Sequence, residues 1–388
     1  MKTLLAVALT GAGLTTAAAL AAEEAQTSYA EIVAKREQVQ GEPIHIDSNY
    51  WLAWTGAWDT VIMKETRAWE HWLPEGSSVS WKRNLQGPPV ITDLLAGKQQ
   101  IGYIGDNPAI VSTTKREIAP VNLVAVNTTT PGRMCGHFII SADAPDFASF
   151  KEAAQWLDGK TVGVPRGSCA DRLGQAILQT EGVDVTWQQM QAEVIVTSLQ
   201  AGKIDAAAVY EPHSSKAVFD GFAKYAIAPA PYGEADANAI VMRDDFIKEH
   251  RDIAKAWLKA NIEALFFMRE EPLQVIDYVK NELPGYSKEV LWNAIYGNLP
   301  AETGAGEIVM TGQMALTDEM RDMLQRGYDF LHEINVVVEP AFAEGAIQDD
   351  LINEVFDELG LDPSKPLFVV KEGDLGANPY SGDELAQN

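Results

Sequence analysis

Residues 101–110 read I-G-Y-I-G-D-N-P-A-I, and the fold turns on this stretch. Ile101, Tyr103 and Ile104 form an apolar run that predicts a short buried strand, and Gly105-Asp106-Asn107 turn the chain into a segment opened by Pro108. Proline suits the first helical position because it has no N–H to lose and its φ already matches the helix. Asp106 and Asn107 are the cap candidates, and the free N–H groups of such a start can receive an anion. A second copy follows: Thr161-Val162-Gly163-Val164-Pro165, then Arg166-Gly167-Ser168-Cys169-Ala170, then a helical run from Leu173 to Gln179. Two strand-to-helix starts in two halves of one chain point to a ligand held between two lobes.

Residues 1–22 carry Lys2, an Ala-rich apolar stretch from Leu4 to Leu20 and the small-residue sequence Ala19-Leu20-Ala21, the pattern of a cleaved secretory leader. The expectation is an exported, periplasmic protein, and neither cysteine lies near the cleavage point to take a lipid anchor. About 365 residues then remain, enough for two domains with their own cores. A net charge of -25 argues against nucleic acid and anionic lipid as partners. It does not forbid a small anionic ligand, which responds to local donors. Cys135 and Cys169 are the only thiols, and in an oxidising compartment they are a possible disulfide, the alternative being two free thiols. No histidine or cysteine pair has metal-ligand spacing, so neither metal nor cofactor is expected.

Along the chain, residues 23–42 form a polar N-terminal extension with helical character, and Ile44 to Asp47 alternate as a strand. Ser48 to Trp58 is the most aromatic stretch. Trp51, Trp54 and Trp58 would share one face if that stretch were helical. Trp58, Trp69 and Trp72 read as core, whereas Trp51 and Trp54 stand at the exit of the first strand, where open α/β sheets place ligands. Residues 43–130 make the first part of lobe 1, 131–228 lobe 2 and 229–335 the rest of lobe 1, with a C-terminal extension at 336–388 whose residues 373–388 read as mobile. In lobe 2, strands at Phe138–Ser141, Thr161–Val164, Val194–Val196 and Ala206–Tyr210 alternate with helices, which implies a parallel-rich sheet. Tyr225 to Pro231 reads as the return to lobe 1.

G-D-N-P-A at 105–109, G-V-P-R-G-S at 163–168 and S-L-Q-A-G-K-I-D-A-A-A-V-Y-E-P at 198–212, with long helices after Phe246, resemble the substrate-binding proteins of ABC importers. The similarity is to their nitrate/taurine/alkanesulfonate branch, which also holds binders of pyrimidine vitamin precursors, and it covers roughly residues 44–334. It implies an α/β, type II periplasmic binding protein fold: two lobes with a hinge and an interlobe ligand cleft, delivering a small organic ligand to an ABC permease in the inner membrane as a monomer, without enzymatic activity. Carried over by motif, the ligand-facing positions are Asn49, Trp51, Trp54, Asp106, Asn107, Asn127, Thr128, Gly167, Ser168 and Glu211, with Cys169 beside them. The tryptophan density, Cys169 and the tail beyond Ile334 depart from the generic pattern.

Anion capture is expected at the N–H groups of Ser168 to Ala170 and Asn107 to Ala109, with the hydroxyls of Ser168 and Thr128. Arg133 and Arg166 are candidate full charges, set against solvated or salt-bridged roles. Asp106 and Glu211, if they face the cleft, would welcome an ammonium, aided by cation–π contact with Trp51 or Trp54; their plainer roles are a helix cap and a domain-bridging salt bridge. An anion plus an ammonium describes taurine or a related aminosulfonate. Nitrate, an aromatic acid or a pyrimidine are alternative solutes. Two other classes stand beside the receptor: an exported enzyme with Cys169 as nucleophile and His137 as base, and a ligand-sensing module.

Overall fold

The computed structural model describes residues 25–382, so the expected leader at 1–22 lies outside the described residues. The strands, in chain order, are β1 His45–Trp51, β2 Ser78–Asn84, β3 Ile101–Gly105, β4 Val121–Thr130, β5 Cys135–Ser141 and β6 Thr161–Val164. They continue as β7 Thr186–Gln189, β8 Ala206–Tyr210, β9 Ala223–Ile227, β10 Asp236–Arg243, β11 Ile308–Met314 and β12 Phe368–Lys371.

Two five-stranded sheets organise the chain. One has the order β12-β11-β4-β10-β3 and the other β7-β6-β8-β5-β9. The chain passes from the first to the second between Thr130 and Cys135 and returns between Ile227 and Asp236. All neighbours in the first sheet are antiparallel; in the second, β6 is parallel to β7 and β8 while β5 is antiparallel to β8 and β9. The second sheet is therefore mixed, not parallel-rich.

The central strand β4 is buried over its whole length, with both faces covered. β8, Ala206–Tyr210, is also fully buried, and its three alanines leave room for helices on either side. Parallel β1 and β2 form a separate pair beside β3. Side chains make that junction: Asn49 Nδ2 donates to the Tyr103 carbonyl at 2.9 Å and its Oδ1 accepts the Tyr103 N–H at 2.9 Å. Asn49 thus replaces a peptide group in the ladder, which keeps buried backbone groups paired.

Helix ends follow sequence chemistry. Ser28 and Glu31 form a reciprocal capping box at helix Tyr29–Ala34, and the hydroxyls of Ser287 and Thr317 cap helices Lys288–Tyr296 and Asp318–Glu333. Such caps each contribute about 1 kcal/mol.

Several elements differ from expectation. Val194-Ile195-Val196 lie in helix Ala192–Gln200, where Ile195 and Leu199 are buried at helical spacing and Val194 is exposed. Trp51, Trp54 and Trp58 do not share a helix: Trp51 ends β1, Trp54 precedes a short turn at Thr55–Ala57, and Trp58 caps helix Asp59–Thr66. Trp58, Trp69 and Trp72 are buried in the core. Tyr225 belongs to β9 and pairs with Ile139, so the return crossing starts after Ile227. The tail is not a loose appendage through residue 382: β12 extends the first sheet, Asn378 Nδ2 donates to the Glu289 carbonyl at 3.0 Å, and Tyr380 packs edge-on to Trp292.

Candidate functional site

The carboxyl ends of strands from both five-stranded sheets and from the β1–β2 pair converge on one cavity of about 880 Å³. Trp51 ends β1, Gly105 ends β3, Gln189 ends β7 and Tyr210 ends β8, and all four line it. Helix starts complete the near wall. Gly87 and Pro88 come from helix Gly87–Leu95, and Pro108 from helix Asp106–Thr113. A Cβ on Gly87 would lie 2.6 Å from the Pro108 ring, so glycine lets the two helix starts close up. Leu331, Ile334 and Val336 form a wall from the far end of the chain.

Trp51 is fixed in place. Its indole N–H donates to the Tyr103 carbonyl and its backbone N–H to the Thr60 hydroxyl. Trp54 lies over Gly56, where a Cβ would come within 2.6 Å of the indole ring. Its Nε1 is buried and has no acceptor within the fold.

On the lobe 2 side, Pro165 to Cys169 border the cavity. Ser168 caps helix Cys169–Glu181: its hydroxyl accepts the Asp171 N–H at 3.3 Å and donates to the Pro165 carbonyl at 2.6 Å. The N–H groups of Gly167 and Ser168 are also engaged, with Asp171 and Pro165. The first two helical N–H groups, of Cys169 and Ala170, are those that a helix leaves without an internal partner. Arg166 donates to Asp171 at 3.0 Å, and Asp171 also accepts from Gln175, so the charges in this wall form one pair. Cys169 is joined to Cys135, which ties the helix start to β5.

The structure therefore brings Trp51, Trp54, Gly167, Ser168 and Cys169 to one cavity and places the other candidates behind its walls. Asn49 stitches β1 to β3. Asn127 Nδ2 donates to Asp59 at 2.6 Å, as does Asn261, and burial pushes the Asp59 pKa up to about 6 against these hydrogen bonds. The Thr128 hydroxyl donates to the Gly56 carbonyl, holding the turn that carries Trp54. Asp106 accepts the Asn107 N–H at 2.7 Å and pairs with Arg172 at 3.0 Å. Asn107 Nδ2 reaches the Ser168 carbonyl at 3.3 Å, a second link between lobes.

Glu211 is buried and accepts from Arg133 at 2.9 Å, from Tyr225 at 2.8 Å and from the Ser215 N–H at 2.9 Å. Burial opposes its charge, and Arg133 with these donors outweighs burial, so its pKa stays below the ordinary range. The expected ammonium site is corrected on this ground: both carboxylates are engaged by arginines and neither lines the cavity. The expected anion donors are corrected likewise. The N–H of Asn107 and the hydroxyls of Ser168 and Thr128 are taken, Pro108 is the third helical residue rather than the first, and Arg133 faces Glu211.

The alternative of a Cys169 nucleophile lacks its thiol, because the sulfur is bonded. Its base, His137, is buried, and burial pushes the imidazole pKa down to about 4. Among the described residues, no cluster of three or more metal-ligating side chains occurs and no helix is long and apolar enough to cross a membrane.

Sequence reasoning missed Gln86, Ile91, Met190 and the wall at Leu331–Val336. Gln86-Gly87-Pro88 repeats the strand-to-helix signal of residues 101–110; the others carry no local signal.

Residues 85–275 match a family model described as NMT1/THI5 like. A putative aliphatic sulfonates-binding protein of Bacillus subtilis (strain 168) is 22% identical over 294 residues, 74% of this chain and 85% of that protein. The taurine-binding periplasmic protein of Escherichia coli (strain K12) is 26% identical over 195 residues, 49% of this chain and 57% of its own length. The alkanesulfonate-binding protein SsuA from Xanthomonas axonopodis pv. citri, solved with MOPS, superposes with a TM-score of 0.63 at 16% identity, covering 80% of this chain and all of that one. The periplasmic nitrate-binding protein NrtA from Synechocystis PCC 6803 gives 0.60 at 16% identity, over 83% and 92% of the two chains. The chain therefore has the two-lobed type II fold of periplasmic binding proteins, with its cleft between the lobes, and over residues 85–275 it is similar to the NMT1/THI5-like family.

Proposed function

We propose that this protein is the periplasmic solute-binding component of an ABC importer, capturing a sulfonate-type organic anion and delivering it to a membrane permease. The observation that carries this reading is the start of helix Cys169–Glu181 set into an interlobe cavity walled by Trp51 and Trp54. The N–H groups of Cys169 and Ala170, the positive end of the helix and the unpaired indole N–H of Trp54 are donors for an oxyanion. Two sulfonate-binding relatives and one taurine-binding relative support a sulfonate head. The aminosulfonate form of the reading, taurine itself, drew on Asp106 and Glu211 as ammonium acceptors, and their arginine partners remove that ground.

The test is calorimetric titration of the purified protein with 1-butanesulfonate and with its neutral sulfonamide. Saturable binding of the sulfonate alone is expected, weakened about tenfold in Trp54→Phe, which keeps the ring and deletes the donor. Equal affinity for the two compounds would exclude an anion site here.

A further inference from the structure

We infer that the solute carries its anionic group on a large, uncharged aromatic body, as in a two-ring arenesulfonate, and has no ammonium group; this rests on the sulfonate head proposed above. Three observations lead to it. The first is size. The cavity of about 880 Å³ lies in the upper part of the range, ~300–1,000 Å³, in which proteins enclose drug-sized molecules. A two-carbon aminosulfonate would leave most of it to water.

The second is the chemistry of the walls. Trp51, Trp54 and Tyr210 supply aromatic surface, and Ile91, Met190 and Val336 belong to the apolar remainder. Apolar surface gains only when apolar surface covers it, so a solute with an apolar body matches these walls and a small zwitterion does not. Trp51 is locked by the Tyr103 carbonyl before any solute arrives. A ring that is already fixed loses no freedom on binding and offers its face for stacking. The apolar character continues to the rim. Val336 is exposed, as are Leu85, directly before Gln86, and Val194, two residues after Ala192.

The third is charge. Among the described residues, Arg166 and Asp171 are the only carboxylate or basic groups of the lining, and they are paired with each other. Asp171 also accepts from the Gly167 N–H and from Gln175. An ammonium would therefore find no free carboxylate in the lining, while the helix start still offers N–H donors to an anion.

Calorimetric titration of the purified protein with naphthalene-2-sulfonate, ethanesulfonate, taurine and 2-naphthol tests this. Naphthalene-2-sulfonate is expected to bind about 100-fold or more tightly than ethanesulfonate or taurine, from the added apolar area alone. Taurine binding as tightly as the arenesulfonate would overturn the inference and leave the sulfonate head standing. 2-Naphthol binding as tightly as naphthalene-2-sulfonate, or no probe binding at all, would overturn the sulfonate head and the inference with it. Two variants locate the body. Trp51→Ala removes an aromatic wall; because Trp51 is also hydrogen-bonded within the fold, Val336→Asp on the exposed rim serves as the second. In each, the ratio of ethanesulfonate to naphthalene-2-sulfonate Kd should fall by about tenfold, and an unchanged ratio in both would refute the placement.

Discussion

Arg172 of lobe 2 meets Asp106 of lobe 1 at 3.0 Å, and both side chains are buried. The same guanidinium pairs with Glu234 at 2.6 Å and donates to the Ala235 carbonyl at 2.8 Å, on the segment returning to lobe 1. One arginine thus ties a helix whose start lines the cavity to the other lobe and to the crossing. Burial disfavours its charge, and the two carboxylates more than restore it. Removing it leaves the buried Asp106 carboxyl without its arginine partner. Arg172→Met should cost about 3–5 kcal/mol in chemical denaturation. The double variant Arg172→Met/Asp106→Asn should recover much of that loss; a double variant as unstable as the single one would show that the pair is not the source.

Cys135 and Cys169, 34 residues apart, join β5 to the first residue of the helix that faces the cavity. A crosslink closing a loop of that size stabilises by about 3–4 kcal/mol in the chain-entropy account. The Cys135→Ser/Cys169→Ser double variant is expected to lose about 2–4 kcal/mol in denaturant unfolding and to bind solute more weakly than the parent, because the helix start is no longer clamped. Full retention of affinity would separate the disulfide from the site.

The parts of this architecture written locally were legible. The strand-to-helix starts at residues 101–110 and 161–170 and the run from Ser198 to Pro212 appear as strands, turns and helices close to where periodicity and turn chemistry put them. Two short edge strands were missed. β7, Thr186–Gln189, is largely exposed and carries no apolar run, and β12, Phe368–Lys371, is only four residues long although Phe368 and Val370 are buried. Val194–Val196 misled because β-branched residues favour strands in isolation, while burial of Ile195 and Leu199 on one side decides for a helix.

The site was legible only in part for a different reason. Asn49, Asn127, Asp106 and Glu211 are the residue types a polar ligand calls for, yet they are also the types that satisfy buried backbone and buried arginines. Choosing between those roles requires knowing which strand end lies next to which helix. The apolar wall at Leu331, Ile334 and Val336 shows the converse: residues that look like ordinary core become the wall of a cavity only through packing across the chain.

Asp236 lies beside Thr130, whose hydroxyl donates to it, in the field of Asp106 and Arg172. Burial pushes its pKa from 3.8 up to about 8, and the neighbouring Asp106 adds to the rise while Thr130 and Arg172 oppose it. A carboxyl group whose pKa is raised by folding contributes stability below its unfolded value and loses it as pH climbs through the folded value. The window here runs from about pH 4 to about pH 8. Asp236→Asn cannot ionise and keeps the acceptor for Thr130. Its stability relative to the parent should therefore grow as pH rises across this window, by at least about 1 kcal/mol. Thermal unfolding at both ends of the window measures this, and parallel pH profiles would contradict it. His137, whose pKa is depressed to about 4, acts in the opposite sense and is common to both proteins, so the comparison cancels it.

Asn49 separates a structural from a ligand-binding role more sharply than any other candidate. Its amide pairs with both the N–H and the carbonyl of Tyr103, and its Oδ1 also accepts from Gln99. Asn49→Leu preserves bulk but strands the buried Tyr103 N–H, at about 1–3 kcal/mol, and takes one of the two acceptors of the Gln99 amide, which keeps the Ile101 carbonyl. The Tyr103 carbonyl keeps its donor from Trp51, so the indole wall of the cavity stays anchored. The expected outcome is a loss of about 1–3 kcal/mol in unfolding with solute Kd changed by less than about threefold. A side chain that touched solute would produce the reverse, a large loss of affinity at nearly unchanged stability. Measuring both quantities on one preparation decides between them, and it also tests whether a side chain can carry the join between β1 and β3.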